Sequence, residues 1–153
     1  MCNKQDAAFS FLNRSILLAW NLESFRLNLW IGNIGDRVVM ALVQGLLRMR
    51  HLRSLELWLG SNDITDAGAR MLADFLRRSA TTLATARIDL TGNKITNAGA
   101  KCLHEAAAAI PNIRIHLGGM SCDEFACIEH KRPITLEVVP SDAERQHRAK
   151  RRR

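Results

Sequence analysis

One spacing of hydrophobic positions occurs four times along this chain, and it predicts the secondary structure. In each copy the apolar residues are separated by steps of 3, 2 and 2, and successive copies begin 30, 31 and 27 residues apart. A step of two is the period of a β-strand, because alternate side chains lie on one face. We therefore expect four short strands. Their apolar positions are Leu22, Phe25, Leu27 and Leu29; Leu52, Leu55, Leu57 and Leu59; Leu83, Ala86, Ile88 and Leu90; and Ile110, Ile113, Ile115 and Leu117.

A second apolar spacing, with the period of a helix, follows each of the first three predicted strands. Thr65 and Thr96 precede two of these stretches and are expected to be N-caps, because a hydroxyl there accepts an otherwise unpaired amide hydrogen bond. Gly68 and Gly99 fall early in the same helices, where a missing side chain is expected to permit close helix–sheet packing. Strand, turn and helix, repeated with parallel strands, predict a curved α/β solenoid.

Two of the repeats are nearly identical through the strand and the following turn. They have the sequences Leu55-x-Leu57-x-Leu59-x-x-Asn62-x-Ile64 and Ala86-x-Ile88-x-Leu90-x-x-Asn93-x-Ile95, followed by Thr-Asp-Ala-Gly and Thr-Asn-Ala-Gly. Residues 4–118 resemble leucine-rich repeats, and the turn and the long helical half resemble the ribonuclease-inhibitor type. The resemblance implies a short leucine-rich-repeat solenoid of about three to four repeats. It also implies that Asn62 and Asn93 bond backbone groups inside each bend.

The first and last repeats depart from this pattern. Gly32 occupies the asparagine position of the first repeat, with Asn33 one residue later, and Met120 occupies it in the fourth. The regular coil is therefore expected to end after the fourth strand. Counting back 30 residues from Leu42 gives Leu12, which extends the helical pattern into the N-terminal segment.

Segments outside the regular repeats are expected to close both ends of the solenoid. Residues 4–20 are interpreted as an N-terminal capping helix, although their basic and hydroxyl residues also fit a mitochondrial presequence. Residues 22–117 form the repeats, and residues 118–139 are expected to form a C-terminal cap that opens with a capping box at Ser121 and Glu124. Together these segments make one leucine-rich-repeat domain over residues 1–139.

The chain carries a net charge of +7, and most of it lies in a basic tail over residues 140–153. The tail contains six basic and two acidic residues, which gives it a charge of +4 and leaves +3 for the rest of the chain. Such a tail could bind nucleic-acid phosphates, act as a nuclear signal, contact an acidic protein or remain solvated. Its basic residues are Arg145, Arg148, Lys150, Arg151, Arg152 and Arg153.

The residues between the core positions of each strand are expected to line the concave face of the solenoid. Two tryptophans on adjacent strands, flanked by arginines, have the composition of a protein-binding hot spot. The alternative is that both tryptophans only cover the sheet near the N-terminal cap. The predicted binding residues are Arg26, Asn28, Trp30, Glu56, Trp58, Arg87, Asp89, Arg114 and His116.

The sequence gives little support to catalysis or to metal binding. There is no Gly-x-Ser-x-Gly elbow, no phosphate-binding glycine-rich loop before a lysine and no His-Glu-x-x-His, so we expect no enzymatic activity and no cofactor. Cys122, Cys127, His130 and His116 could supply zinc ligands, but their spacing matches no paired motif, and thiols packed in a capping helix are the preferred interpretation.

The sequence therefore predicts a non-catalytic scaffold that binds a protein partner on its concave face and an acidic partner through its tail, within a multi-subunit assembly. One alternative is a structural subunit of a ribonucleoprotein, such as a ribosome, that contacts RNA phosphates. A second is a regulatory inhibitor or activator module. We expect no small-molecule substrate and no membrane span. The four cysteines show no compact disulfide framework, and an intracellular location, cytoplasmic or nuclear, is expected, with a mitochondrial one still open.

Overall fold

A computed structural model describes residues 21–118, in which four strands alternate with three helices. The elements are β1 (Ser24–Asn28), α1 (Asp36–Leu46), β2 (Ser54–Trp58), α2 (Asp66–Ser79), β3 (Thr85–Asp89), α3 (Asn97–Ala107) and β4 (Asn112–His116). The strands form one sheet in the order β1-β2-β3-β4, and all three pairings are parallel. The predicted α/β solenoid of alternating parallel strands and helices is confirmed.

The repeated leucine positions form a single core between the sheet and the helices. Leu55, Leu57 and Leu59 on β2 and its end are almost completely buried, and so are Leu72 and Leu76 on α2. Each repeat exposes one apolar strip of strand and one of helix, so neighbouring repeats must stack to bury them. This packing explains why the strand spacing and the helix spacing recur together.

Asn62 joins the bends of two successive repeats. Its side-chain oxygen accepts hydrogen bonds from the amides of Gly32 and Ile34 at 3.0 Å each, in the bend of the repeat before it. Its side-chain nitrogen lies 2.9 Å from the carbonyl oxygen of Leu29 and 3.0 Å from that of Leu59, and donates to both. The first repeat has no asparagine at this position, so its bend depends on the asparagine of the second.

Asn93 continues the ladder in the next bend. It donates to the carbonyl oxygens of Leu59 at 2.8 Å and Leu90 at 2.9 Å, and it accepts from the Ile64 amide at 3.0 Å. The hydrogen-bonded asparagine ladder that the resemblance implied is therefore present in the structure. Buried backbone groups in the bends find partners that the parallel sheet cannot supply.

The turns before α2 and α3 carry a second ladder, which the sequence did not indicate. Thr65 caps α2 by accepting from the Ala67 amide at 3.2 Å, as predicted. Asp36, the first residue of α1, accepts from the Thr65 amide at 2.9 Å, from the Thr65 hydroxyl at 2.6 Å and from the Gly68 amide at 3.1 Å. One carboxylate thus ties the start of one helix to the start of the next.

Asp66 repeats this arrangement toward α3, where Thr96 is the N-cap. It accepts from the Thr96 amide at 2.7 Å and from the Thr96 hydroxyl at 2.6 Å. Burial acts to raise the pKa of Asp66, but hydrogen bonds from Thr96 and the Gly99 amide, with the charge of Arg70, outweigh it and hold the pKa below its usual value. The carboxylate is therefore kept ionised in its bridging position.

Gly68 and Gly99 were expected to let the helices pack closely on the sheet, and this prediction was wrong. The group that approaches each glycine closely is a carboxylate from the preceding helix. A Cβ placed at Gly68 would lie 2.5 Å from Oδ1 of Asp36 and 2.7 Å from Cγ2 of Ile64. At Gly99 the corresponding Cβ would meet Asp66 in the same way. The missing side chain makes room for a carboxylate from the preceding helix, because the bridge requires the two helix starts to approach closely. It does not serve helix–sheet packing.

Several predictions concern segments outside the described residues. These are the capping helix or presequence at residues 4–20, the C-terminal cap at residues 118–139 beyond Gly118, and the basic tail at residues 140–153. Within residues 21–118, no helix is long and apolar enough to cross a membrane.

Candidate functional site

Within residues 21–118, one face of the sheet packs on the helices, and no described helix covers the other, which we call the open face. The sequence predicts this face as the concave surface. Side chains alternate across a strand, so the residues between the core leucines lie on this open face. The parallel register places them in rows across the sheet. The first row is Arg26, Glu56, Arg87 and Arg114, and the second is Asn28, Trp58, Asp89 and His116.

Part of the first row is engaged internally. Nε of Arg26 lies 3.5 Å from Oε2 of Glu56, and Glu56 is only 8% exposed although it lies on the open face. Neither of those two atoms makes a hydrogen bond within the described residues. Arg87 is exposed and Arg114 half-buried, and among residues 21–118 neither guanidinium has an ion-pair partner. The row therefore presents positive charge at its β3 and β4 end.

Two residues of the second row stabilise the turns that follow their strands. Oδ1 of Asn28 accepts from the Trp30 amide at 3.0 Å. Oδ1 of Asp89 accepts from the amide and the hydroxyl of Thr91 at 2.9 and 2.7 Å. These are local side-chain-to-backbone bonds typical of turns. The carboxylate of Asp89 thus accepts hydrogen bonds within its own turn.

Trp30 lies two residues after β1, and its ring packs against the segment that follows β2. A Cβ placed at Gly60 would lie 2.8 Å from a ring carbon of Trp30, so the ring occupies the space above Gly60. Trp30 is nevertheless 44% exposed, whereas Trp58 is half-buried. Trp30 therefore covers part of the sheet and also presents an aromatic surface, and binding through the tryptophans stays a prediction.

Ile31, next to Trp30, is a residue that the sequence did not single out. It is 72% exposed and has a φ of 54°, in the left-handed region. Ser61 and Gly92 occupy the corresponding positions of the next two repeats, with φ of 54° and 68°. A β-branched side chain is strained there, and glycine is not. Alignment of Ile31 with Gly92 is the sequence signal that could have indicated the strain.

Replacing Ile31 with glycine should stabilise the fold. Relief of left-handed strain is worth roughly 1–2 kcal/mol, and the added flexibility of the unfolded chain offsets roughly 0.5–1 kcal/mol of it. We expect Ile31→Gly to raise the thermal midpoint by a few degrees, measured by circular dichroism. Ser61→Gly is the matched control and should change it less, because serine is not β-branched. A lower midpoint for Ile31→Gly would contradict the strain.

Metal binding has no support in the described part of the chain. No group of three His, Cys, Asp or Glu side chains within residues 21–118 is placed to hold an ion. Asp89 and His116 are register partners on β3 and β4, but they have no third ligand there. Cys122, Cys127 and His130 lie outside the described residues.

Two segments of the chain match a family model described as Leucine Rich repeat, over residues 48–73 and 87–103. They span the loop before β2 into α2, and most of β3 through much of α3. The described residues form an α/β solenoid, and the two matched segments support leucine-rich repeats within it. A search of curated proteins finds no match to the sequence. The ribonuclease-inhibitor type stays a prediction, since the matches support leucine-rich repeats in general. Such repeats generally mediate protein–protein interaction and are typically non-catalytic.

Proposed function

We propose that this leucine-rich-repeat protein is a non-catalytic scaffold that binds a protein partner on its open sheet face. The observation that carries the proposal is Trp30, an aromatic side chain 44% exposed on a face that none of the three described helices covers. Large aromatic residues exposed on a rigid surface are enriched among the residues that dominate binding energy.

The hydrogen-bonded architecture around Trp30 supports this role. Its amide is held by Asn28, its ring packs over Gly60, and the Ile31 amide donates to the Gly60 carbonyl oxygen at 3.1 Å. The aromatic side chain is therefore ordered before a partner arrives. Preorganisation of this kind lowers the conformational entropy lost on binding.

Substitutions at the tryptophans test the proposal. The partner is identified by affinity purification from the native source and mass spectrometry, and its affinity for the purified chain is then measured by calorimetry. Trp30→Ala and Trp58→Ala should each weaken binding by roughly tenfold or more, as expected for hot-spot residues. Leu47→Ala is the matched control, because Leu47 follows α1 on the helical side and is 39% exposed. Equal losses of partner affinity for all three substitutions would exclude the open face as the binding surface.

The basic tail favours a second candidate, a subunit of a ribonucleoprotein assembly that contacts RNA phosphates. Its support is the concentration of positive charge within residues 140–153. Binding of this kind weakens steeply with salt, because condensed counterions are released from the phosphates. RNA affinity that falls with salt and is lost on deletion of residues 141–153 would favour this candidate. Partner binding that is insensitive to salt and to the deletion favours the protein scaffold.

A further inference from the structure

A groove opens at the amino-terminal ends of β2, β3 and β4, beside the first row of the open face. It has a volume of about 420 Å³. Its lining combines Glu56, Arg87 and Arg114 with apolar and small polar residues. Three of the predicted binding residues thus converge on a recess that the sequence alone did not indicate.

The charges in this groove are not balanced. Arg87 and Arg114 are register partners on adjacent parallel strands, so their backbones lie about 4.8 Å apart. Like charges placed side by side on a sheet are unfavourable. Glu56 lies on the other side of Arg87 in the same row, but its ion pair is with Arg26. The two arginines are therefore left facing the groove without an acidic partner among the described residues.

We propose that the groove binds an acidic segment of the protein partner, with one of its carboxylates bridging Arg87 and Arg114. Guanidinium groups bind carboxylates through pairs of charge-assisted hydrogen bonds, and a bridging anion would relieve the repulsion between the two arginines. This inference rests on the proposed protein-binding role of the open face and adds the chemistry of the partner.

The groove favours a polypeptide over RNA. Glu56 lines it directly beside Arg87, so a continuous phosphate backbone that contacted both arginines would also approach a carboxylate. An acidic peptide carries its carboxylates on flexible side chains, so one of them can bridge the two arginines while the others turn away from Glu56 and a backbone N–H approaches it. Pro111, which is exposed, and Ile113, which is half-buried, also suit the methylene groups of such a side chain.

Charge reversal in the full chain tests the inference. Arg87→Glu combined with Arg114→Glu is compared with Arg48→Glu combined with Lys101→Glu, two exposed positions on the helical side. Both pairs lower the net charge equally and leave the basic tail intact. The probes are fluorescein-labelled hexaglutamate and polyuridylate RNA, with anisotropy as the readout. Thermal melting shows whether each variant is folded, and Gln replaces Glu at all four positions if a reversal prevents folding.

We expect the groove reversal to weaken hexaglutamate binding about tenfold more than the helical-side reversal, with equal effects of the two on polyuridylate. Equal effects on hexaglutamate would overturn the inference, while partner binding through Trp30 would still stand. A loss of polyuridylate binding as large as the loss of hexaglutamate binding would also overturn it, since the groove would then bind phosphate.

Discussion

Replacing Asn62 with alanine should destabilise the protein by about 2–4 kcal/mol, a large share of the stability of a small domain. Asn62 is only 7% exposed and satisfies backbone groups in two bends. Without its side chain, the amides of Gly32 and Ile34 lose their acceptor in a buried region. Urea unfolding followed by circular dichroism measures the loss.

Asn62→Asp should be more damaging than Asn62→Ala. The carboxylate can still accept from the two amides, but it would also face the carbonyl oxygens of Leu29, Leu59 and Gly60, to which the native side chain donates. Asn28→Ala is the control, because Asn28 is exposed and accepts one hydrogen bond within its own turn, so its loss should not exceed about 1 kcal/mol.

A local readout separates this ladder from a general loss of packing. In native-state hydrogen exchange, Asn62→Ala should deprotect the Gly32 and Ile34 amides more than the amides of β3. The first repeat has no asparagine of its own at this position, so its bend has no substitute for Asn62. Uniform deprotection across the sheet would contradict the assigned role.

Replacing Gly68 with alanine should also destabilise the fold, by about 2 kcal/mol, although alanine is the better helix former by about 1 kcal/mol. The new methyl group would lie 2.5 Å from Oδ1 of Asp36 and 2.7 Å from Cγ2 of Ile64. The carboxylate bridge between α1 and α2 would have to shift, and the Thr65 and Gly68 amides would lose their acceptor. Chemical denaturation measures the effect.

Two further variants identify the cause. Gly35→Ala is the matched control in the preceding turn, because a Cβ there meets nothing closer than the Asp63 carbonyl oxygen at 4.0 Å; we expect a change within about 1 kcal/mol. In an Asp36→Ala background, Gly68→Ala should cost less than in the native chain, since the carboxylate is gone. The same cost in both backgrounds would exclude the carboxylate as the cause.

Much of the fold and part of the site could be predicted from the sequence. The core spacing indicated which strand residues face the helices, and the same position of Arg26, Glu56 and Arg87 within each repeat predicted their row across the sheet. Thr65 and Thr96 were predicted as caps from local sequence alone. These features depend on residues near each other in the chain or on the repeat period, so a linear pattern contains them.

Contacts between repeats could not be predicted in the same way. The burial of Glu56 against Arg26, the ring of Trp30 over Gly60 and the Asp36 bridge each join residues about thirty positions apart. Which side chain reaches which neighbour depends on rotamers and on the distance between repeats. The spacing determines the row, but the orientation of each side chain within it is set by packing.

The sequence by itself determined the strand–turn–helix repeat, the parallel register and the asparagine positions, because hydrophobic periodicity and turn chemistry are local properties. Only the tertiary structure decided which polar residues of the open face remain available. Stacking of the repeats pairs Arg26 with Glu56 and leaves Arg87 and Arg114 beside a groove. Charge on a sheet is neutralised by contacts across strands, and those contacts exist only once the repeats are stacked.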